Sequence, residues 1–309
     1  SVEVPTPSEV VRAAVGTPSV AEAAALAAAA DPAAAADLPP ERVVAKRKSA
    51  MATAAVARRP VRGRLALVSL GPGDPDLVPP RARVALARAQ IVVGYGPYVD
   101  QARPFTRPGA EIVAYGLGEE VERCRYAVVR AAAGWSVALV SSGDVGVYAM
   151  ASPALEEGGL AAVDVEVVPG VTAAHAAAAL VGSPLGHDHC AISLSDLLTP
   201  WEVIERRLRA AAQGDFVVSL YNPRSRARDW QLGAARALLL EHRPPATPVA
   251  LITDATRPGQ RVVLDTLAGF DEAQVTMTTV VVVGSAQTRI VEGRMVTPRG
   301  YAPAAVEAR

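Results

Sequence analysis

The sequence RLALVSLGPGDP, residues 64–75, decides the fold class of this 309-residue chain. A mostly apolar run is followed at once by a turn of glycines and prolines, which is typical of a buried strand that ends in a loop. The loop fits neither GxGxxG nor GxxxxGK, so a dinucleotide site and a phosphate-binding loop lose most of their support. Its two glycines could bring the backbone close to another ligand, and a plain strand-to-helix turn is the equally weighted alternative.

Short apolar runs alternate with amphipathic stretches along the rest of the chain, which predicts an α/β architecture with a largely parallel sheet. The first series predicts strands at 64–70, 91–95, 136–141 and 163–168 and helices at 80–89, 119–133 and 147–157. The second series predicts strands at 190–195, 216–221, 248–253, 261–265 and 278–283 and helices at 200–212 and 226–242. Between them, the stretch 180–188 is rich in glycine and poor in charge, so we expect a hinge between α/β domains at 61–183 and 184–309.

The composition excludes the classes of protein that depend on a strong positive field. Lysines plus arginines number 31, as do aspartates plus glutamates, so a nucleic-acid partner is not expected. The alanine-rich run at 20–38 is interrupted by three acidic residues and is too polar to cross a bilayer. The two cysteines, Cys124 and Cys190, form no spacing motif, and we expect free thiols in a reducing cytoplasm.

Four loops at the carboxyl ends of predicted strands are the candidate ligand site, since ligands of open α/β sheets gather there. In chain order they read GPGDP (71–75), SSGDVGVY (141–148), PGVTAA (169–174) and LYNPRSR (220–226). The second loop places an acid between glycines, which suits a ligand with hydroxyls or an ammonium group. The small residues of the third leave room for a flat group against the free amides of a helix start. The fourth loop brings an aromatic ring, an amide and arginines together.

Taken in order, these loops and the tail of the chain resemble one protein family. The motifs GPGDPDL, SSGDVGVY, PGVTAA, LYNPRS, TTVVVVGSAQTR and GRMVTPRGY, within residues 64–301, are similar to those of the tetrapyrrole methyltransferases of cobalamin synthesis. The loop YNPRS and the tail resemble most the branch that methylates precorrin-3B. The resemblance implies two α/β domains of the class III methyltransferase type, with S-adenosyl-L-methionine in the cleft between them, and a homodimer.

The reaction that the resemblance implies is methylation at C17 with contraction of the macrocycle, which converts precorrin-3B into precorrin-4. In organisms that insert cobalt early, the substrate would be cobalt-factor III. Two other interpretations stay open. One is a sibling enzyme that methylates C11, C20 or uroporphyrinogen III, and the other is a non-catalytic binding protein of the corrinoid pathway.

Residue by residue, the resemblance assigns cofactor contacts to eight positions: Pro72, Gly143, Asp144, Val147, Thr172, Ala173, Tyr221 and Ala255. The second loop departs from the family in one place, because Val145 stands where many relatives have proline. Methyl transfer requires no covalent intermediate with the protein. The sequence agrees with this, since it contains no GxSxG motif.

Four arginines are candidates for binding the carboxylates of the macrocycle, because a guanidinium holds a carboxylate at two points. They are Arg224, Arg226, Arg228 and Arg257. Solvated surface arginines are the alternative interpretation. Asp74 is the candidate acid or base for the ring contraction. The alternative for Asp74 is that it fixes the turn by accepting hydrogen bonds from backbone amides.

A resident metal site is not predicted. His187, His189 and Cys190 cluster at the start of a strand, where positions i and i+2 share a face. Further ligands are not apparent in the sequence, and the passage from hinge to strand explains these residues.

Residues 1–60 differ from the rest of the chain, because they are rich in alanine and have basic ends. Ser19 and Glu22 predict a capping box at a helix start. The motifs VGTPSVAEAAAL and VVAKRKSAMATAAVARR are similar to the end of the C-terminal domain of cobalt-precorrin-5A hydrolases. This second resemblance implies a fusion or contact with other cobalamin-pathway enzymes, and we assign the segment no activity.

Overall fold

A computed structural model of the chain describes residues 62–225 and 228–301, together with the backbone of two earlier strands. These strands are β1 (Glu41–Lys48) and β2 (Thr53–Arg58), and they pair antiparallel. The predicted helix start at Ser19 and the candidate Arg226 both lie outside the described residues.

A five-stranded parallel sheet forms the first half of the described chain. Its strands are β3 (Gly63–Ser69), β4 (Ile91–Tyr95), β5 (Glu111–Tyr115), β6 (Ser136–Ser141) and β7 (Val163–Val168). Their order is β5-β4-β6-β3-β7. In β3, Leu65 and Leu67 are fully buried on one face, and Ala66 and Val68 are buried on the other. A parallel sheet covered on both sides requires such a continuous apolar run, so the predicted strand 64–70 is confirmed.

Four helices cover the two faces of this sheet. They are α1 (Pro80–Arg88), α2 (Gly96–Ala102), α3 (Glu120–Ala132) and α4 (Ala151–Glu156). Helices α1 and α2 pack on the face that carries Ala66 and Val68. Helices α3 and α4 pack on the face of Leu65 and Leu67. The first sheet is therefore the middle layer of a three-layer α/β sandwich.

The second sheet contains five strands, and only one of its four pairings is parallel. The strands are β9 (His189–Ser193), β10 (Val217–Tyr221), β11 (Pro248–Thr253), β12 (Arg261–Thr266) and β13 (Thr279–Val283), in the order β12-β11-β13-β10-β9. Strands β9 and β10 run parallel, whereas β10–β13, β13–β11 and β11–β12 are antiparallel. The expectation of a largely parallel sheet is thus wrong for this half. The short turn between β11 and β12 has no room for a crossover helix, so it forces an antiparallel return.

Helix α5 (Ala173–Val181) connects the two sheets. It begins in the loop after β7, the last strand of the first sheet, yet its apolar side chains pack against the second sheet. Ala176, Ala177 and Val181 share one buried cluster with Ile252 and Val282. Helices α6 (Trp201–Gln213) and α7 (Gln231–Leu240) cover the opposite face of the second sheet.

A small third sheet occupies the predicted hinge. Its strands are β8 (Gly182–Ser183), β14 (Arg289–Val291) and β15 (Arg294–Val296), in the order β14-β15-β8. The stretch 180–188 therefore contains the end of α5 and a paired strand. The two-residue turn of the β14–β15 hairpin, Glu292-Gly293, has positive φ at both positions, as tight hairpins of this type require.

Two predicted helices begin later than expected. The helix expected at 147–157 starts only at Ala151, because Tyr148 has a left-handed backbone with φ 51°. The helix expected at 226–242 spans Gln231–Leu240. None of the helices in the described part of the chain has the length and apolar character that crossing a membrane requires.

Candidate active site

A cavity lies where the strand-end loops of the two sheets meet. It is lined by all eight residues that the family resemblance assigns to the cofactor: Pro72, Gly143, Asp144, Val147, Thr172, Ala173, Tyr221 and Ala255. The first three loops come from β3, β6 and β7, and the fourth comes from β10. The cavity is therefore built by both sheets together.

Paired glycines join the first and second loops. Gly71 N donates to Gly143 O at 3.1 Å, and Gly143 N donates to Gly71 O at 2.7 Å. Both residues have positive φ, +70° and +64°, a conformation that only glycine adopts readily. A Cβ on Gly71 would lie 2.5 Å from the carbonyl oxygen of Leu77. Side chains are thus excluded from the point where the two loops touch.

Asp144 shapes the loops on either side of it. Its Oδ1 accepts a hydrogen bond from Gly146 N, and its Oδ2 accepts one from Gly170 N, both at 2.8 Å. The carboxylate therefore closes the second loop and ties it to the third. Each carboxylate oxygen has a further lone pair, so the group can still accept a bond from a ligand in the cavity.

The backbone N–H of Val145 gives a physical reason for valine, in place of the proline of many relatives, at this position. Its backbone N–H donates to Ser69 Oγ at 2.8 Å, and Ser69 Oγ donates to Val168 O at 2.6 Å. Ser69 and Val145 are both fully buried. Proline has no N–H, so a proline at position 145 would leave the Ser69 hydroxyl without this donor.

Tyr221 holds the third loop from the second sheet. Its hydroxyl accepts a hydrogen bond from Ala174 N at 2.9 Å and lies 2.6 Å from Thr172 Oγ1. Thr172 precedes α5 and makes no side-chain capping bond of its own, so the phenol of Tyr221 caps this helix from outside. Burial raises the pKa of Tyr221, and its hydroxyl stays protonated at neutral pH.

Tyr148 adds a second aromatic contact between the two sheets. Its ring centroid lies 5.1 Å from that of Tyr221. Its hydroxyl donates to Ala191 O at 2.9 Å, although the residue comes from the second loop of the first sheet. Burial raises the pKa of Tyr148 as well. The aromatic pair therefore joins the two sheets beside the cavity.

Asp74 is exposed, and its Oδ1 accepts a hydrogen bond from Asp76 N at 2.8 Å. The carboxylate thus caps the short 3-10 turn that follows the first loop. This is the turn-fixing role that the sequence left open, while its role as acid or base stays a prediction.

The described candidate arginines have three different environments. Arg257 lines the cavity and donates to Pro72 O and Ser142 Oγ. Arg228 donates to Ser195 Oγ at 3.3 Å and to Asn222 O at 3.1 Å. Arg224 donates to Glu272 O at 3.0 Å. It also lines a second cavity of about 820 Å³, together with Leu117, Ser225, Asp229, Val275, Thr276 and Met277.

The histidine cluster does not gather ligands for a metal. His187 Nδ1 accepts from Asp188 N at 2.8 Å, and His189 Nδ1 lies 3.1 Å from His187 O. Within residues 62–225 and 228–301, no group of three or more His, Cys, Asp or Glu side chains is placed to hold a metal ion. Cys124 and Cys190 are free thiols. Burial raises the pKa of Cys124 to about 11.

Several cavity residues were not assigned to the site from the sequence, and four of them lie at the start of β13 or directly before it. Met277, Thr278, Thr279 and Val280 line the first cavity, and Met277 also lines the second. Thr279 Oγ1 accepts from Thr276 N at 2.9 Å, and it lies 2.8 Å from Thr253 Oγ1. The run MTTV has no catalytic residue type, so nothing local distinguishes it from an ordinary strand start.

The fold and the cavity define a class of α/β enzymes whose ligand site lies between two sheets and is formed by loops of small residues. Residues 64–271 match the sequence model of the family described as Tetrapyrrole (Corrin/Porphyrin) Methylases, and the chain belongs to this family. Residues 1–57 match a second family, described as Cobalamin synthesis G C-terminus. Both matches confirm the resemblances found in the motifs.

Similar proteins have more specific names. A precorrin-3B C(17)-methyltransferase of a Sinorhizobium species is 47% identical over 252 residues, which cover 78% of this chain and 98% of that protein. A cobalt-factor III methyltransferase of Priestia megaterium is 42% identical, and the match covers 78% of this chain and 46% of that longer protein.

Solved structures agree with these matches. The crystal structure of the methyltransferase CobJ is 42% identical, with a TM-score of 0.72, and covers 76% of this chain and all of that one. A uroporphyrin-III C-methyl transferase from Thermus thermophilus, complexed with S-adenyl homocysteine, is 26% identical with a TM-score of 0.56. The latter match covers 72% of this chain and 92% of that one.

Proposed function

We propose that the chain transfers the methyl group of S-adenosyl-L-methionine to C17 of precorrin-3B, or of its cobalt-containing counterpart, with contraction of the ring to the precorrin-4 skeleton. The observation that carries this proposal is the cavity, because the eight residues assigned to the donor line it together. The name of the Sinorhizobium relative, at 47% identity, supports the position of methylation.

The residues of the cavity fit a sulfonium donor with a flat nucleoside. Gly143 lines the cavity, and a Cβ there would be in van der Waals contact with backbone atoms of the third loop, at 3.7 to 3.9 Å, so the cavity wall at this point is backbone alone. Asp144 offers lone pairs to hydroxyl or ammonium groups. The S-adenyl homocysteine complex of the Thermus relative supports this donor class. When bound, S-adenosyl-L-methionine supplies a methyl group, and its sulfur keeps the electron pair of the C–S bond that breaks.

The protein contributes to methyl transfer mainly by holding donor and acceptor in contact and by excluding water. Asp144 fixes the second loop against the third, and Tyr221 fixes the third loop to the second sheet. Because the phenol of Tyr221 is neutral, it places no negative charge beside the sulfonium. Asp74 stays our candidate for the proton transfers of the contraction. Unchanged turnover of an Asp74→Asn variant with bound substrate would exclude it.

The second cavity is the proposed binding site for the macrocycle. It borders the first cavity at Met277, which lines both. Arg224 lies in its wall and is the candidate partner for a carboxylate. A flat macrocycle in the second cavity would therefore lie next to the donor in the first cavity, with the Met277 side chain at the border between them. We keep Arg226 and Arg228 as further candidates for binding the carboxylates.

Several broader predictions belong to the same proposal. We expect a homodimer in a reducing cytoplasm, with domain boundaries near 60/61 and 183/184. The match of residues 1–57 to a second cobalamin-synthesis family supports a fusion or a contact with another enzyme of the pathway.

Mass spectrometry of the product tests the proposal. The full chain is incubated with S-adenosyl-L-methionine carrying a deuterated methyl group and with precorrin-3B, metal-free or loaded with cobalt. We expect a contracted macrocycle with one labelled methyl group on C17. Methylation of uroporphyrinogen III or of another carbon would identify a sibling enzyme instead. Bound ligands without transfer in a single turnover would identify a binding protein.

Two glycine variants make this experiment specific to the cavity. Gly143→Ala adds a methyl group to the wall of the cavity, between the second and third loops, at a position with φ +64°, and we expect it to lose most of the transfer. Gly109 also has positive φ, +76°, but a Cβ there would contact nothing within 4 Å. Gly109→Ala carries similar backbone strain and should retain the activity. Equal loss in both variants would mean that strain alone explains the effect.

A further inference from the structure

The turn between β11 and β12, residues 254–260, reaches from the second sheet to the loops of the first. Asp254 and Thr256 have a left-handed backbone, with φ 49° and 62°. Such conformations are strained in non-glycine residues and persist where surrounding contacts hold them, often at functional sites. The turn is closed by its own bonds, since Arg257 N donates to Asp254 O at 2.9 Å and Gln260 N donates to Arg257 O at 3.0 Å.

Arg257 bonds to both of the paired glycine loops. Its Nε donates to Pro72 O at 2.7 Å, and its Nη2 donates to Ser142 Oγ at 2.6 Å. Ser142 Oγ in turn donates to Gly71 O at 3.3 Å. The neighbouring Thr256 Oγ1 accepts a hydrogen bond from Asp74 N at 3.2 Å. One turn of the second sheet thus forms hydrogen bonds with two residues of the first loop, Pro72 and Asp74, and with one residue of the second loop, Ser142.

Gly73 provides independent evidence that the first loop is fitted to this side chain. A Cβ at position 73 would lie 2.2 Å from Arg257 Cγ and 3.0 Å from its Nε. The stem of Arg257 therefore packs directly on the backbone of Gly73. The second glycine of GPGDP is required by the position of an arginine 184 residues further along the chain.

We infer that Arg257 is a positioning residue of the donor site, an inference that rests on the proposed function. It holds the first and second loops at the separation that the donor needs. The sequence suggested a different role, a bond to a substrate carboxylate. The geometry favours the loops, because Nε and Nη2 are both engaged by Pro72 and Ser142.

The two roles differ in what they predict for the donor alone. A positioning residue affects the binding of S-adenosylhomocysteine without any macrocycle, whereas a substrate-binding arginine does not. Isothermal titration of the full chain with S-adenosylhomocysteine therefore separates them. We expect Arg257→Met to weaken binding by about tenfold or more, since preorganisation of the site is lost. Arg257→Lys should recover part of the affinity, because an ammonium group can still reach one of the two acceptors.

Gly73→Ala tests the same contact from its other side. The added methyl group must displace Arg257, so we expect a comparable loss of affinity. Ser142→Ala removes the Nη2 acceptor, and its effect should not add fully to that of Arg257→Met. Matched controls are Arg88→Met, at an exposed arginine, and Gly96→Ala, where a Cβ would contact nothing within 4 Å. Both should bind like the unaltered chain.

The outcomes distinguish this inference from the proposal on which it rests. If the unaltered chain fails to bind S-adenosylhomocysteine, the proposed function itself is wrong. If the unaltered chain binds and Arg257→Met binds equally well, only the positioning role is refuted. A lower thermal midpoint with unchanged affinity would assign Arg257 to stability alone and would also overturn the inference.

Discussion

Replacing Tyr221 with phenylalanine removes the only atom by which its side chain bonds to the start of α5 in the described structure. The hydroxyl accepts from Ala174 N at 2.9 Å and lies 2.6 Å from Thr172 Oγ1. Its loss leaves the N–H of the buried Ala174 without this acceptor, which costs about 1 to 3 kcal/mol. Loss of a helix cap costs about 1 kcal/mol. The two costs describe the same N–H group, so we expect a decrease of about 1 to 2 kcal/mol in the free energy of unfolding.

Thermal unfolding and donor binding measure this effect together. For a body of this size, 1 kcal/mol corresponds to about 2 to 4 °C, so the midpoint should fall by about 2 to 8 °C. Binding of S-adenosylhomocysteine should weaken too, because Thr172 and Ala173 line the cavity. The matched control is Tyr126→Phe, whose hydroxyl bonds to the exposed Glu111 and whose loss should cost about 0.5 kcal/mol or less. Equal midpoints and equal affinities for the two variants would refute the capping role.

Three further predictions follow from buried groups and from the wall between the cavities. Ser69→Ala should lower the free energy of unfolding by about 1 to 3 kcal/mol in urea titrations, because Val145 N loses its acceptor. Burial raises the pKa of Cys124 to about 11, so the unfolded chain, whose thiol ionises near 8.5, loses this proton first as the pH rises. Stability should therefore fall by up to about 3 kcal/mol between pH 9 and 11, and Cys124→Ala should lack that part of the slope. Met277 lines both cavities, so Met277→Ala should slow single-turnover transfer by about tenfold or more even when S-adenosyl-L-methionine is saturating, and unchanged transfer would contradict our placement of the macrocycle.

Nine of the ten strands in the two five-stranded sheets could be predicted, because short runs rich in apolar residues alternate with turn residues along the chain. The direction of the strands could not be predicted, because the hydrophobic pattern indicates which residues are buried but does not distinguish parallel from antiparallel pairing. Strand β5 escaped prediction because it lies at the edge of the sheet, where none of its residues is fully buried. Helix α2 starts at Gly96-Pro97, which usually indicates a turn. Proline is nevertheless compatible with the first positions of a helix.

The candidate site, like the fold, could be predicted only in part. The eight residues that we assign to the donor lie in loops whose order matches a family, so the resemblance could predict that they line one cavity. The bonds that shape the cavity join distant parts of the chain: Arg257 and Pro72 are 185 residues apart, and Tyr221 and Ala174 are 47 apart. No local pattern can show such pairs. Asp74 and Arg257 are two examples. A polar residue in a loop suggests a catalytic or ligand-binding role, but its hydrogen bonds to the backbone are visible only in the three-dimensional structure.

Helix α5 belongs to the first half of the chain by sequence and to the second sheet by packing. A fragment starting at residue 184 would lack Ala176, Ala177 and Val181, and would expose the apolar face of Ile252 and Val282 to water. A fragment ending at 183 would carry the same helix with nothing to cover it. The second sheet therefore cannot complete its hydrophobic core without residues of the first half. The fragment starting at residue 184 should therefore recover its native fold only when it is mixed with the other fragment, which supplies α5.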